Sequence, residues 1–379
     1  MADILTLNLI KGGERREQSI MRNVDKYGLS NALIAGSIAG LLSVLCAPFI
    51  CNNYVGFLVV RFLQAIGIGF IFPCIGYVAA HWFPEREHGL ANGLFFGCVP
   101  GGCAVGALLS PFILNATGNW TVTLAILGIF NVIAIIFAYQ LAGKQGPVQE
   151  LEAAGKAELI QNPMTYADAL KCPITWIGMV IIMTNAWMVF NLTNFVPAFL
   201  AEPKPMGAGL GAETSGILNL ALTLIGFPAV LLGGWFYDVV MKGRAKLPTA
   251  IGFVATAVTF LLIFGWVQQS MFLLVIILMF AGFGGMFQTP PMSAYVVKIY
   301  PPEIAGSMIG WWFGGGTFGA AIGLFLGSLS IERTGSFNFS LIMISVVACA
   351  GLVLTMIFFK HNLVLNHPRA REIAKAWTR

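Results

Sequence analysis

Few residues in this 379-residue chain can do chemistry, and they are unevenly placed. By hydropathy pattern, all sixteen carboxylates fall in loops, in tails or at the ends of apolar stretches, and a single charge, Arg61, lies well inside one. A guanidinium at the centre of an apolar helix costs at least about 2.5–3.5 kcal/mol, so it needs a partner or a purpose. Arg61 can attract an anion or tune a proton relay; it can equally bond backbone carbonyls or snorkel outward from about two turns below a helix end. Neutral polar side chains gather later in the chain: Asn185, Asn191, Asn194, Asn219, Thr223, Gln288 and Thr289. Amides both donate and accept, which suits a carboxylate or a hydroxylated solute, although each taken singly is also explained by a packing bond between helices. Trp187, Trp311 and Trp312 could wall a sugar-like solute or simply pack.

The same inventory excludes other chemistry. No acid or histidine sits well inside an apolar stretch, which argues against a proton relay within residues 28–360. His81, His88, His361 and His367 fall in loops or the tail, with no Ser or Cys at a spacing useful for nucleophilic catalysis, and no enzyme is expected. The seven cysteines lack paired spacing and read as small packing residues; Cys98 and Cys103 suit helix packing better than a metal site. The runs Gly282–Gly285 and Gly314–Gly316 lie mid-helix with no following Lys-Ser/Thr, so they are packing surfaces and not phosphate loops. No cofactor is expected.

These residues must be positioned by helices in lipid. The chain is 58% hydrophobic and 10% charged, against about 25% charged for a soluble domain. A span needs about 20 mostly apolar residues. Ten fit: 28–50, 54–82, 89–114, 120–142, 174–199, 214–237, 248–268, 271–297, 305–330 and 337–360. Lys and Arg gather before the first span, in alternate loops and in the tail, while the opposite loops hold only Lys204 and Arg333. The basic bias assigns both termini and the middle loop to the cytoplasm and excludes a nucleic-acid partner as its reason. The expected organisation is a cytoplasmic segment 1–27, a four-span bundle 28–142, a polar linker 143–173 with a short surface helix near 148–160, a six-span bundle 174–360 and a basic tail 361–379.

The two bundles echo each other. Tyr77-Val78 matches Tyr295-Val296, Pro84-Glu85 matches Pro302-Glu303, and Gly93 answers Gly310. Such an internal duplication between apolar halves is how many transporters are built. Asp25-Lys26-Tyr27-Gly28, before the first span, corresponds to Asp238 and its neighbours, yet two spans precede Asp238 after the linker and none precedes Asp25. The first half is therefore expected to be two helices short.

At these residues the chain resembles a major facilitator superfamily transporter lacking helices one and two. Asp25-Lys26-Tyr27-Gly28 and GGWFYDVVMKGR resemble the two copies of the family's loop motif G-x-x-x-D-R-x-G-R-R. RFLQAIGIG resembles its helix-four motif R-x-x-Q-G-x-G, and VPGGCAVGALLSP its helix-five motif. WFPEREHGLANG and VPAFLAE are similar to forms in the organic-anion and sugar-acid branch, although that branch commonly has a glutamate where this chain has Gly67, Ile68 and Gly69.

The resemblance implies an all-α polytopic membrane protein of two bundles related by a pseudo-two-fold axis, with about ten spans (4 + 6), working by alternating access. Family topology brings Arg61, Gln64, Asn185, Asn191 and Gln288 towards one central site, with Asn219 as a further candidate. Asp25 and Asp238, with Arg86 and Arg244, would form a cytoplasmic gate. The expected cargo is a small organic anion, a mono- or dicarboxylate or a sugar acid, moved by facilitation or exchange (antiport); alternatives are a neutral sugar or drug, or a truncated chain that does not transport. The expected setting is the plasma (cell inner) membrane, as a multi-pass monomer embedded in the bilayer.

Overall fold

The computed structural model describes residues 29–141, 164–266, 270–360 and 365, and every regular element among them is a helix. The N-terminal bundle comprises α1 (Leu29–Ile50), α2 (Tyr54–Trp82), α3 (His88–Thr117), α4 (Trp120–Leu127) and α5 (Ile129–Gln140). After the short α6 (Tyr166–Leu170), the C-terminal bundle comprises α7 (Pro173–Ala201), α8 (Ala212–Leu224), α9 (Gly226–Trp235), α10 (Lys246–Trp266), α11 (Met271–Phe287), α12 (Thr289–Ile299), α13 (Pro302–Thr334) and α14 (Asn338–Phe358). The pairs α4–α5, α8–α9 and α11–α12 each run on as one rod. Ten rods result among the described residues, four then six, and eight of them are long and apolar enough to cross a membrane. Asp25, the surface helix expected near 148–160 and the basic tail lie outside the described residues.

Helix ends follow local chemistry. Asn53 caps α2 by accepting from Gly56 N at 2.7 Å, and Asn119 caps α4 by accepting from Thr121 N at 2.9 Å. Thr165 and Asp168 form a capping box on α6. Gly118 and Gly335 end α3 and α13 in the left-handed region, at φ +66° and +65°, where a Cβ would be strained. The α11–α12 rod breaks at Gln288, because Pro290 and Pro291 cannot donate back to the preceding turn.

Lipid is as apolar as leucine, so helices here associate through close packing and not through exclusion of water. The most extensive contact joins α7 and α13. Gly315, Gly319, Gly323 and Gly327 recur every fourth residue on α13 and face Met179, Met183, Trp187 with Asn191, and Phe195 on α7. A Cβ on Gly319 would collide with the Met183 carbonyl oxygen. Gly282 packs in the same way on the Leu222 backbone, and Gly36 on α1 meets the Gly67 carbonyl of α2.

The core is unequally shared. The main buried cluster belongs to α7–α14, joined from the N-terminal bundle by Ala79, Ala80 and Phe96, while Ala32 and Cys74 form a small separate cluster between α1 and α2. Helix α3 packs far more extensively on α9 of the other bundle than on α2 or α4 of its own.

The α7–α13 seam makes a checkable statement. Gly319→Ala is expected to destabilise the protein by about 1–3 kcal/mol. Gly314→Ala, where a Cβ would meet no atom within 4 Å, should leave stability unchanged. Thermal unfolding in detergent, followed by tryptophan fluorescence, reads the difference; equal transitions would refute the seam.

Candidate functional site

Two seams join the bundles, α3 against α9 and α2 against α13, and both are tight at the end that carries Arg86, Lys171, Arg244, Lys246 and Lys298, called here the basic end. The α3 seam is a ladder of glycines every fourth residue. A Cβ on Gly89 would stand 2.5 Å from the Gly234 carbonyl oxygen, and one on Gly93 3.0 Å from that of Val230. On Gly97 and Gly101 it would stand 3.4 and 3.7 Å from the Phe227 ring, and on Gly102 and Gly106 it would meet nothing within 4 Å. The second seam repeats the pattern. A Cβ on Gly76 would lie 3.0 Å from Ala305 O and one on Gly310 3.0 Å from Pro73, but Gly69 and Gly314, farther along, face open space to 4 Å. The bundles therefore touch at the basic end and separate towards the other.

Three layers close the basic end. In the first, Asp238 sits in the π-helical turn Phe236–Val240 that ends the α9 rod. Its two carboxylate oxygens accept from Gly89 N at 2.9 Å and Leu90 N at 2.7 Å, the free amides of the first turn of α3. A carboxylate there satisfies orphan donors and meets the positive end of the helix dipole. Gly89 has no side chain to hold Asp238 away, since a Cβ would come 2.7 Å from Asp238 Oδ1.

One turn inward is a layer that sequence reading missed. Ser293 on α12 donates its hydroxyl to Asn92 Oδ1 at 2.5 Å, while Asn92 Nδ2 donates to His88 O at 2.6 Å. Both side chains are fully buried. Nothing in the local sequence marks Ser293; Asn92 shows only as the one amide in the basic-end half of α3, three residues from Gly89. The third layer is aromatic: Phe72 of α2 lies 6.1 Å from Phe96 of α3 and 6.4 Å from Phe313 of α13, and Phe96 and Phe313 are 5.0 Å apart.

Arg61 stands above this floor. It lies three turns from Phe72 on α2 and nearly in phase with it at about 3.6 residues per turn, so it shares the face that meets the other bundle lower down. Its side chain is exposed; Nη1 donates to Gln64 Oε1 at 3.2 Å, and the guanidinium lies 5.1 Å from the centre of the Phe57 ring. Among the described residues no carboxylate pairs with it, and most of its five donors are unused. It stands about 31 Å from the basic end of α2 and about 10 Å from the other end, at 1.5 Å per residue.

Arg61 and Gln64 bond to each other, and the other candidates have their own neighbours. Asn185 is buried and donates to Gly285 O at 3.2 Å, tying α7 to α11. Asn191 donates to Trp187 O at 2.7 Å and packs on Gly323; it lines a cavity of about 330 Å³ between α7, α13 and α14 with Trp187, Ser330 and Arg333. Arg333 was noted in the sequence only as a loop charge. Asn219 is half-buried with Oδ1 unbonded, and the neighbouring Thr223 donates to its carbonyl at 2.8 Å. Gln288 is fully buried with both amide atoms unbonded and lies against Gly252 of α10. Of the basic gate candidates, Arg86 pairs with its neighbour Glu87 at 3.3 Å on the surface, and Arg244 lines a separate cavity near the end of α14. Among the described residues no group of His, Cys, Asp and Glu is arranged to hold a metal ion.

Two helical bundles meet at one end and part at the other, and Arg61 stands on the side of α2 that carries Phe72 of the seam. A family model described as Major Facilitator Superfamily matches residues 20–266 and 206–378. The chain belongs to the major facilitator superfamily. It is 27% identical over 352 residues to an uncharacterized transporter of Bacillus subtilis, YybO, covering 87% of this chain and 78% of that one. A phosphoglycerate transporter protein of Salmonella typhimurium is 26% identical over 338 residues, covering 82% and 69%. The 4-hydroxybenzoate transporter PcaK of Acinetobacter baylyi is 22% identical over 365 residues, covering 87% and 76%. Among solved structures, the proton:xylose symporter XylE superposes with a TM-score of 0.67 at 12% identity, covering 95% of this chain and 85% of that one. The fold is thus that of a superfamily transporter, and the chain is a multi-pass membrane protein and not an enzyme.

The buried Asn92–Ser293 pair can be tested alone. Ser293→Ala leaves Asn92 Oδ1 buried without a donor and is expected to cost about 1–3 kcal/mol. Asn92→Ala/Ser293→Ala should cost less than the sum of the single changes. A double-mutant cycle on thermal stability in detergent reads this; strict additivity would mean that the two groups do not interact.

Proposed function

We propose that this transporter carries a small organic anion by alternating access, with Arg61 as the group that draws the anion into the gap between the bundles. The observation that carries the reading is an exposed guanidinium, without a carboxylate partner among the described residues, on the gap-facing side of α2. While the gap is open, water solvates this charge. When the gap closes over it, the guanidinium loses that water, and an anion bound bidentately offsets the loss. The named cargoes of the relatives support the class: phosphoglycerate, 4-hydroxybenzoate and, for a Bacillus subtilis relative 23% identical over 229 residues, hexuronate. Among the described residues the carboxylates lie at helix ends or in loops, so facilitation or anion exchange fits better than proton symport through these helices. Gln64 orients the guanidinium, and Asn185, Asn191, Asn219 and Gln288 remain candidates for contact in another conformation.

In this reading the basic end faces the cytoplasm by the positive-inside bias, in the plasma membrane, and the structure corresponds to the outward-facing state. Asp238 holds that state through the first turn of α3; Asp25 would do the same for the other half, and Arg86 and Arg244 flank the gate. A second reading, a chain that transports only with further helices, is favoured by the small separate core between α1 and α2.

Uptake of labelled organic acids and neutral sugars into proteoliposomes tests the cargo. Saturable uptake of an organic acid is expected, indifferent to a pH gradient, lowered at least about tenfold in Arg61→Ala and partly retained in Arg61→Lys. Uptake of a neutral sugar unaffected by Arg61→Ala would overturn the assignment.

The gate is tested separately. In Asp238→Asn one strong acceptor becomes a donor, and spin labels at positions 86 and 242 should report a second, longer distance alongside the wild-type one. An unchanged distance distribution together with unchanged uptake would remove Asp238 from the gate.

A further inference from the structure

A second basic feature lies at the basic end of the C-terminal bundle. At the basic ends of α10, α12 and α14 there is a cavity of about 180 Å³ walled by Arg244, Lys246 and Lys360, with Tyr295, Phe359 and Leu247 among its apolar lining. No acidic side chain lines it. Tyr295 and Phe359 are buried and stacked at 4.4 Å, which gives the cavity a fixed aromatic floor. The rim is fixed as well. Lys242 and Gly243 turn the chain through the left-handed region at φ 48° and 76°, Gly243 N donates to Tyr237 O at 2.9 Å, and Lys298 donates to Gly243 O at 3.1 Å. Among the described residues Arg244 and Lys246 pair with no carboxylate.

From Leu247 an apolar track leads away from the charges. Leu247, Ile251, Val254 and Val258 are all exposed along one face of α10, while the residues between them are buried or half-buried. Exposed Val353, Met356 and Ile357 run beside it on α14, which packs against α10. The cavity that Arg244, Lys246 and Lys360 wall thus borders on exposed apolar faces of α10 and α14.

We propose that this cavity binds the phosphate headgroup of an anionic phospholipid, with its acyl chains laid along the α10–α14 groove. A phosphate diester at the membrane surface takes charge-assisted bonds from Arg244, Lys246 and Lys360, and the apolar track selects a lipid over a free anion. The site is separate from the gap that holds Arg61 and does not depend on the nature of the cargo.

The test is native mass spectrometry of the purified full chain in neutral detergent, titrated with phosphatidylglycerol and with phosphatidylcholine. One phosphatidylglycerol should bind at least about tenfold more tightly than phosphatidylcholine. Arg244→Gln/Lys246→Gln should weaken it by about fivefold for each charge removed. Arg244→Lys/Lys246→Arg, which keeps both charges, should bind as the wild type does. The proposal is overturned by equal binding of the two lipids, by an equal loss in Arg86→Gln/Lys171→Gln, whose charges lie on the same end but outside the cavity, or by displacement of the lipid with millimolar inorganic phosphate.

Discussion

The structure depends on how closely helix backbones can approach where no side chain intervenes. In lipid there is no water to expel between apolar helices, so association rests on dispersion between well-fitted surfaces and on hydrogen bonds made at short range. Glycine every fourth residue supplies such a surface on α3 towards α9 and on α13 towards α7. The approach is closest at the basic end and relaxes where Phe227 replaces backbone as the facing group. That gradient opens the gap away from the basic end.

The polar interactions are consequences of that approach. Asp238 reaches the amides of Gly89 and Leu90 because nothing projects from Gly89. Asn92 and Ser293 exchange a hydrogen bond in a dry interior because α3 and α12 are held together around them. Both interactions would be costly to leave half-made, which gives closure at the basic end an all-or-none character. Arg61 is in the reverse position: it is inexpensive where it stands because the gap is open, and would become expensive on closure without a counter-charge. In the proposed anion-carrier reading these are complementary: polar groups satisfied at the closed end and a charge without a carboxylate partner among the described residues at the open one.

In the two proposals charge placement also separates two tasks. Arg61 has no carboxylate partner among the described residues, whereas Arg244, Lys246 and Lys360 share one cavity beside exposed apolar residues of α10 and α14. The first arrangement suits a ligand that must leave; the second suits one that stays.

The sequence by itself determined the helices, their approximate ends and Arg61 as the charge set deepest in a helix, because hydropathy and the cost of a charge in lipid are properties of a segment and need no neighbour. It also marked Asp238 and the glycine-rich stretches, since a span-end acid before basic residues and a surplus of glycine are local signals. The tertiary structure decided which face meets which. Gln288 turns to Gly252 and Asn185 to Gly285, Arg86 stays with its neighbour Glu87, and Asn92 and Ser293 find each other across 201 residues. The reason is physical. A helix in lipid is apolar on every side, so the periodicity that points a soluble helix towards its core is missing, and direction is set only when small residues on one helix find a fitting surface on another.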